Sequence, residues 1–454
     1  MHRRDFLKLS GLATAGLPSL VPEIAQAAEP EKSNFTLRIS PVSIDIGPGK
    51  TIKTVGYNGS VPGPVLRFKE GKPVTIDVYN DTDVPEVVHW HGQHIPSLVD
   101  GSTEEGTPPV MPKSHRRYRF TPAPAGTRWY HTHTMAHADL ARAGFSGQFG
   151  VAIIEPARHP GDYDQEVVIA AHHWEPALAN MGPPDNGWEI MYKSATFNGK
   201  MLGAGEPVRV KNGQRVLFRL LNASATDEIR VALPGHRFTV TAMDGNPLAR
   251  PQTVDTLYLD IGERVDAIVE MNNPGVWVFG STKEDERKMG MGVVVEYADK
   301  SGEPQWQQPA NLTRGPWDYT LFGSDRPAPE PDYTFEMKFQ KIPGNRKDFN
   351  HWTINGKSFP DIEKLRLEKG KRYRLAFNND SGDIHPLHLH RHTFEITQFG
   401  GKPMSGLMKD VISVNRRSMA AVDFVANNPG LTLFHCHMQL HMDFGFMQLL
   451  DYAG

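Results

Sequence analysis

The sequence predicts an all-β protein built from three β-sandwich domains, and three observations carry that prediction. A strand–Gly turn–strand unit occurs three times: Leu66-Arg67-Phe68-Lys69-Glu70-Gly71 leads to Asn80, Val208-Arg209-Val210-Lys211-Asn212-Gly213 to Asn222, and Leu365-Arg366-Leu367-Glu368-Lys369-Gly370 to Asn379, each with nine residues from Gly to Asn. A Gly-initiated apolar strand then follows in each copy, at Gly126-Thr127-Arg128-Trp129-Tyr130, Gly275-Val276-Trp277-Val278-Phe279 and Gly430-Leu431-Thr432-Leu433-Phe434. Two motifs tripled in one order, ~150 residues apart, mean domain triplication, since solenoid repeats run only ~20–50 residues. The strands are short and alternating, 42 Gly and 36 Pro supply turns, and helical periodicity is scarce. That is the pattern of sandwiches.

In chain order, Arg3-Arg4-Asp5-Phe6-Leu7-Lys8 precedes a mildly apolar stretch and then Ala25-Gln26-Ala27, a small-x-small cleavage signal. Residues 1–27 therefore read as an export signal similar to the bacterial twin-arginine type. The mature chain is expected to start near Ala28, to use the twin-arginine export machinery, and to work in the periplasm or otherwise outside the cytoplasm. Domains are expected at 33–157, 162–298 and 332–454. The Pro-, Gly- and Gln-rich segment 299–331 is expected as a connector over the surface. A net charge of −3 argues against nucleic acid or an anionic membrane as partner. No apolar run after the N-terminus is long enough to span a membrane.

Eight of the 20 histidines form His-x-His pairs: His89/His91, His131/His133, His388/His390 and His435/His437. On a strand, each pair sends two imidazoles to one face. A single pair means little. These four occupy equivalent places in the first and third copies, while the second copy has Gly280 and Ser281 where a pair would begin. Core histidines would not appear in two copies and vanish from the third, so the pairs point to a metal site between domains 1 and 3. Eight imidazoles are too many for one metal and suit a cluster.

Parity places a second site. Cys436, the only cysteine, lies between His435 and His437 and points to the opposite face. An exported chain with one cysteine has no intrachain disulfide, which leaves Cys436 as a spare thiol or a ligand. His385 lies three residues before His388 and so shares the side of Cys436; His441 joins them if the chain turns after His437. Two imidazoles and a thiolate are the trigonal set of a blue-copper electron-transfer centre. The remaining histidines, without repeat partners, read as surface or core polar groups, and Met438, Met442 and Met447 as packing.

His89-Trp90-His91-Gly92, Trp129-Tyr130-His131-Thr132-His133, His385-Pro386-Leu387-His388-Leu389-His390 and His435-Cys436-His437-x3-His441 resemble the four copper signatures of three-domain multicopper oxidases. The resemblance covers the whole mature chain. It implies cupredoxin-like Greek-key sandwiches and four coppers: type 1 on His385, Cys436 and His441, type 2 on His89 and His388, and a type 3 pair on His91, His131, His133, His390, His435 and His437. It also implies laccase-like oxidation of phenols, aromatic amines or similar reductants, coupled to reduction of dioxygen to water, with electrons passing from Cys436 through His435 and His437. Asp100, in Val99-Asp100-Gly101, resembles the acid beside the cluster. Phe446 falls at the axial position, where it cannot coordinate. Oxidation of cuprous or other metal ions is the alternative, and a copper-free relative acting in cell division a remote one. Two departures stand out: Met442, with Asp443 next, replaces the Glu that many bacterial relatives carry there, and residues 355–385 lack the Met-rich insertion of relatives specialised for cuprous ion, which weighs against a copper-detoxifying role.

Overall fold

A computed structural model describes residues 32–157, 161–182, 187–312, 316–344 and 349–452. The expected export signal, His2 and His159 lie outside the described residues. The chain forms pairs of mainly antiparallel sheets, the cupredoxin-like Greek-key arrangement, in three successive copies. In the first copy, one sheet runs Lys50–Tyr57, Phe35–Gly47, Val74–Asn80, Ser114–Phe120, and the other Leu66–Lys69, Phe149–Glu155, Gly126–Thr132, Val88–His91. Alternation makes them stick. Leu37, Ile39, Ile76 and Val78 of one sheet and Leu66, Phe68, Trp90 and Ile154 of the other close into one apolar cluster. Full burial of each such side chain contributes ~1.5–3 kcal/mol.

The second sheet keeps one strand order in all three copies. In the third it reads Leu365–Leu367, Met447–Tyr452, Thr432–Cys436, His385–Leu389, Val411–Val414. The Gly-initiated strand thus always lies beside the strand that follows the Asn. Where both carry histidines, register sets them side by side: His89 opposite His131, and His388 opposite His435. At the equivalent place in the middle copy Val231 faces Ser281.

The connector differs from expectation. Trp317, Tyr319 and Phe322 are buried in the apolar core shared by the second and third copies. Their aromatic area is worth more packed there than solvated. No helix among the described residues is long and apolar enough to cross a membrane.

Candidate metal centres

The eight paired histidines meet where the first and third sandwiches face each other. His89 stacks on His390 with ring centroids 4.0 Å apart, and His91 on His388 at 3.7 Å. Their nitrogens gather into three groups able to hold an ion, buried except for half-buried His437: His89/His91/His388, His91/His131/His437 and His133/His390/His435. His91 belongs to two of them.

Local contacts fix which nitrogen is free. The Nδ1–H groups of His89, His131, His388 and His435 point at the backbone oxygens of Asp100, Thr132, Asp410 and Cys436, at 2.7–2.9 Å. His390 Nδ1 donates to Asp100 Oδ2 at 2.9 Å. Each ring is thereby held in the tautomer whose Nε2 carries a lone pair. His91 is reversed: Asp410 Oδ1 takes its Nε2 at 3.1 Å and Nδ1 is left open. Nε2 of His89, His131, His388 and His437, with Nδ1 of His91, are buried without a hydrogen-bond partner. His435 Nε2 faces His390 Nε2 at 3.0 Å and His133 Nε2 at 3.3 Å. With both Nδ1 protons already committed, the His390–His435 contact has no hydrogen to share. Each buried unsatisfied group costs ~1–3 kcal/mol, so converging lone pairs make sense only around cations. Burial, then neighbouring imidazoles, hold His91, His131, His388 and His435 well below the ordinary histidine range, and bring His437 to about 3. They are neutral, the form that ligates.

On the other face of the same strand, Cys436 Sγ lies 3.4 Å from His441 Nδ1 and 3.7 Å from His385 Nδ1, and the two Nδ1 atoms are 3.1 Å apart. The short helix Gln439–Asp443 provides the turn that returns His441. Ser381 Oγ holds His385 Nε2 at 2.8 Å, aiming Nδ1 at the thiol. Trp352 stacks on His441. Burial pushes the Cys436 thiol well above its ordinary pKa, so only a metal would favour its thiolate. Phe446 stands edge-on to His385, ring centroids 4.7 Å apart, whereas Met447 packs with Leu433 and Met442 in a separate cluster. Were copper held by His385, Cys436 and His441, a site without a thioether would disfavour Cu(II); in the copper-loaded protein Phe446→Met should then lower the potential in a redox titration and Met447→Leu should barely move it. The opposite ranking would make Met447 the axial group.

Asp100 ends the short helix Ser97–Asp100 beneath His89, its Oδ2 3.1 Å from His89 Nδ1. Gly101 follows at φ 102°, pressed against the Val88 carbonyl, where any side chain would clash. Desolvation opposes the charge on Asp100, but His89 and His390 hold it well below the usual carboxylate range. Glu105, 3.3 Å from His390 Nδ1, is pushed well above that range by burial and by Asp100.

The sequence gives no hint of Asp410. Arg264 clamps it with both Nη atoms, at 2.7 and 2.5 Å, and Arg128 adds a third contact at 3.2 Å. All three side chains are fully buried. Gly92 is bare because a Cβ there would strike Asp410 Oδ2. The middle copy, which carries none of the paired histidines, thus supplies the arginine that steadies His91.

Sandwiches enclosing a multi-imidazole cluster and a Cys–His2 site define a copper-type redox protein. Multicopper oxidase family models match residues 39–159, 169–297 and 331–453, and the chain belongs to that family. It is 30% identical to the multicopper oxidase MmcO of Mycobacterium tuberculosis, over 98% of this chain and 92% of that one. It is 27% identical to the bilirubin oxidase of Albifimbria verrucaria (92% and 75%) and 24% to copper resistance protein A of Escherichia coli (98% and 98%). Fet3p, a multicopper oxidase that functions in iron import, has the same fold at TM-score 0.79 and 20% identity, over 92% of this chain and 90% of that one. The multicopper oxidase of Pseudomonas thermotolerans superposes at TM-score 0.72 and 25% identity (93% and 100%).

Proposed function

We propose that this oxidase holds four coppers, with type 1 on His385, Cys436 and His441, type 2 on His89 and His388, and the type 3 pair on His91, His131, His133, His390, His435 and His437. The observation that carries the reading is the pair of donor sets on opposite faces of Thr432–Cys436, with His435 and Cys436 adjacent in the chain. Bound copper supplies one-electron uptake at the Cys436 site and four-electron reduction of dioxygen to water among the eight imidazoles. The covalent link from Cys436 to His435 and His437 gives electrons a short path between them. Asp100 keeps the His89 and His390 tautomers and, ionised, can accept a proton. The export signal and the extracytoplasmic place of work remain part of this reading.

Our reading of the donor class is supported by the wall beside His441. A cavity of about 90 Å³ there is lined by Glu189, Glu228, Asp260, Asp383 and Met438, with Arg416. Lys341 bridges Glu189 and Asp383, and Arg230 pairs with Glu228. Burial, then the Glu263 carboxylate, pushes Asp260 up to about 7. A small cation would relieve that crowding, and the Met438 thioether suits a soft one. We therefore place cuprous ion or another reduced metal ion first, and aromatic amines and phenols second. Steady-state rates on cuprous ion, a diamine and a phenol test the order. Glu189→Gln should raise KM for cuprous ion about tenfold, roughly 1.4 kcal/mol, and leave the phenol unchanged. An equal effect on both donors would return phenols to first place.

A further inference from the structure

Reducing dioxygen to two waters consumes four protons, and seven of the eight paired imidazoles that surround the reaction are buried. Met442, directly after His441, has no proton to give. A cavity of about 30 Å³, enough for water, touches His131, His133, His435 and His437. Much of its wall is apolar, including Trp129, Phe149 and Met442, but Thr132, Ser146 and Gln148 open onto it.

Behind those polar residues lies Glu86, 3% exposed. Its Oε2 accepts from Gln148 Nε2 at 2.9 Å and meets Thr132 Oγ1 at 3.2 Å. Thr132 Oγ1 continues to Thr134 Oγ1 at 3.0 Å, and Gln148 Oε1 accepts from Ser146 Oγ at 3.1 Å. No ion pair to Glu86 occurs among the described residues; the groups that face it are half-buried Arg142 and the Tyr57 hydroxyl. Burial without a cation is a costly choice for an acid whose structural hydrogen bonds a glutamine could make. Desolvation raises its pKa against the bonds from Gln148 and Thr132.

We propose that Glu86 is a proton relay of the dioxygen-reducing chamber, reaching it through Thr132. The carboxyl O–H bond breaks as its proton passes to Thr132 Oγ1. The hydroxyl's own proton moves on to water in the cavity, and the carboxylate is recharged from solvent on the Arg142 side. One proton crosses per cycle and no electron moves. Glu86 touches no imidazole of the cluster and acts through Thr132. The proposal rests on the eight-imidazole site being where dioxygen is reduced.

The test mixes fully reduced, copper-loaded protein with dioxygen in stopped flow. Glu86→Gln keeps the side-chain shape; reoxidation should slow about a hundredfold, while anaerobic reduction of the blue centre by the donor stays as in the parent. The competent form is protonated, so parent reoxidation should decline as pH rises through the elevated Glu86 pKa. The glutamine variant should lose that decline, and Glu86→Asp should regain part of the rate. Infrared difference spectra supply a readout apart from turnover. A protonated-carboxyl band that shifts in D2O should vanish in Glu86→Gln and persist in Thr132→Val, which should nevertheless be slow. Parent-like reoxidation of a fully metallated Glu86→Gln protein, or an unchanged carboxyl band, would overturn the proposal. Failure of the copper-loaded parent to consume dioxygen would instead sink the functional reading beneath it.

Discussion

Cys436→Ser should abolish the blue absorption and reduce turnover to background with every donor, while the eight-imidazole site stays metallated. The reason is geometric. Cys436 points to the face shared with His385 and His441, and the cluster imidazoles are held by other partners: backbone oxygens of Asp100, Thr132, Asp410 and Cys436, and the carboxylates of Asp100 and Asp410. None of these needs the thiol; the Cys436 contact uses its carbonyl. Serine preserves the strand and removes only the soft ligand and the covalent sulfur path. The checks are the visible spectrum, dioxygen uptake, and the near-ultraviolet signature of the cluster. Sustained oxidase activity without a thiolate would refute the proposed electron path.

The second large effect is expected at Asp410→Ala. The substitution leaves Arg128 and Arg264 buried without their shared carboxylate, and breaking a buried pair in this way costs about 3–5 kcal/mol. It also frees His91 Nε2, so that ring loses the contact that keeps Nδ1 toward the cluster. The metal-free protein should melt several degrees lower, and the cluster should lose copper while the blue centre remains. Arg264→Lys, which keeps a charge but not the two-pronged contact, should fall between variant and parent. A variant with the parent's melting temperature and full copper would mean that Asp410 neither braces the three copies nor orients His91.

Much of the site was readable because strand parity converts sequence spacing into direction. The three-residue step from His385 to His388, and the single steps around Cys436, were enough to sort ligands onto two faces. What escaped was everything that depends on which surfaces meet. Asp410 has no repeat partner and follows an unremarkable Lys409, yet packing brings Arg264 from the middle copy onto it. Glu86 lies in an ordinary loop-like run, and only the fold shows it behind Thr132 and Gln148. The cavity beside His441 assembles Glu189, Glu228, Asp260 and Asp383 from distant segments, so its acidity was invisible in the sequence. Residues 317–322 looked like connector by composition, but their aromatic rings found a groove between sandwiches.

If two independent copper-binding faces lie back to back on one strand, one can be emptied without the other. Copper counted per chain, in the parent and in Cys436→Ser prepared identically, tests it most directly. Four are expected in the parent, as proposed from the ligand sets, and one fewer in the variant. One or two coppers in the parent, or a variant that loses the cluster metals along with the blue centre, would contradict it.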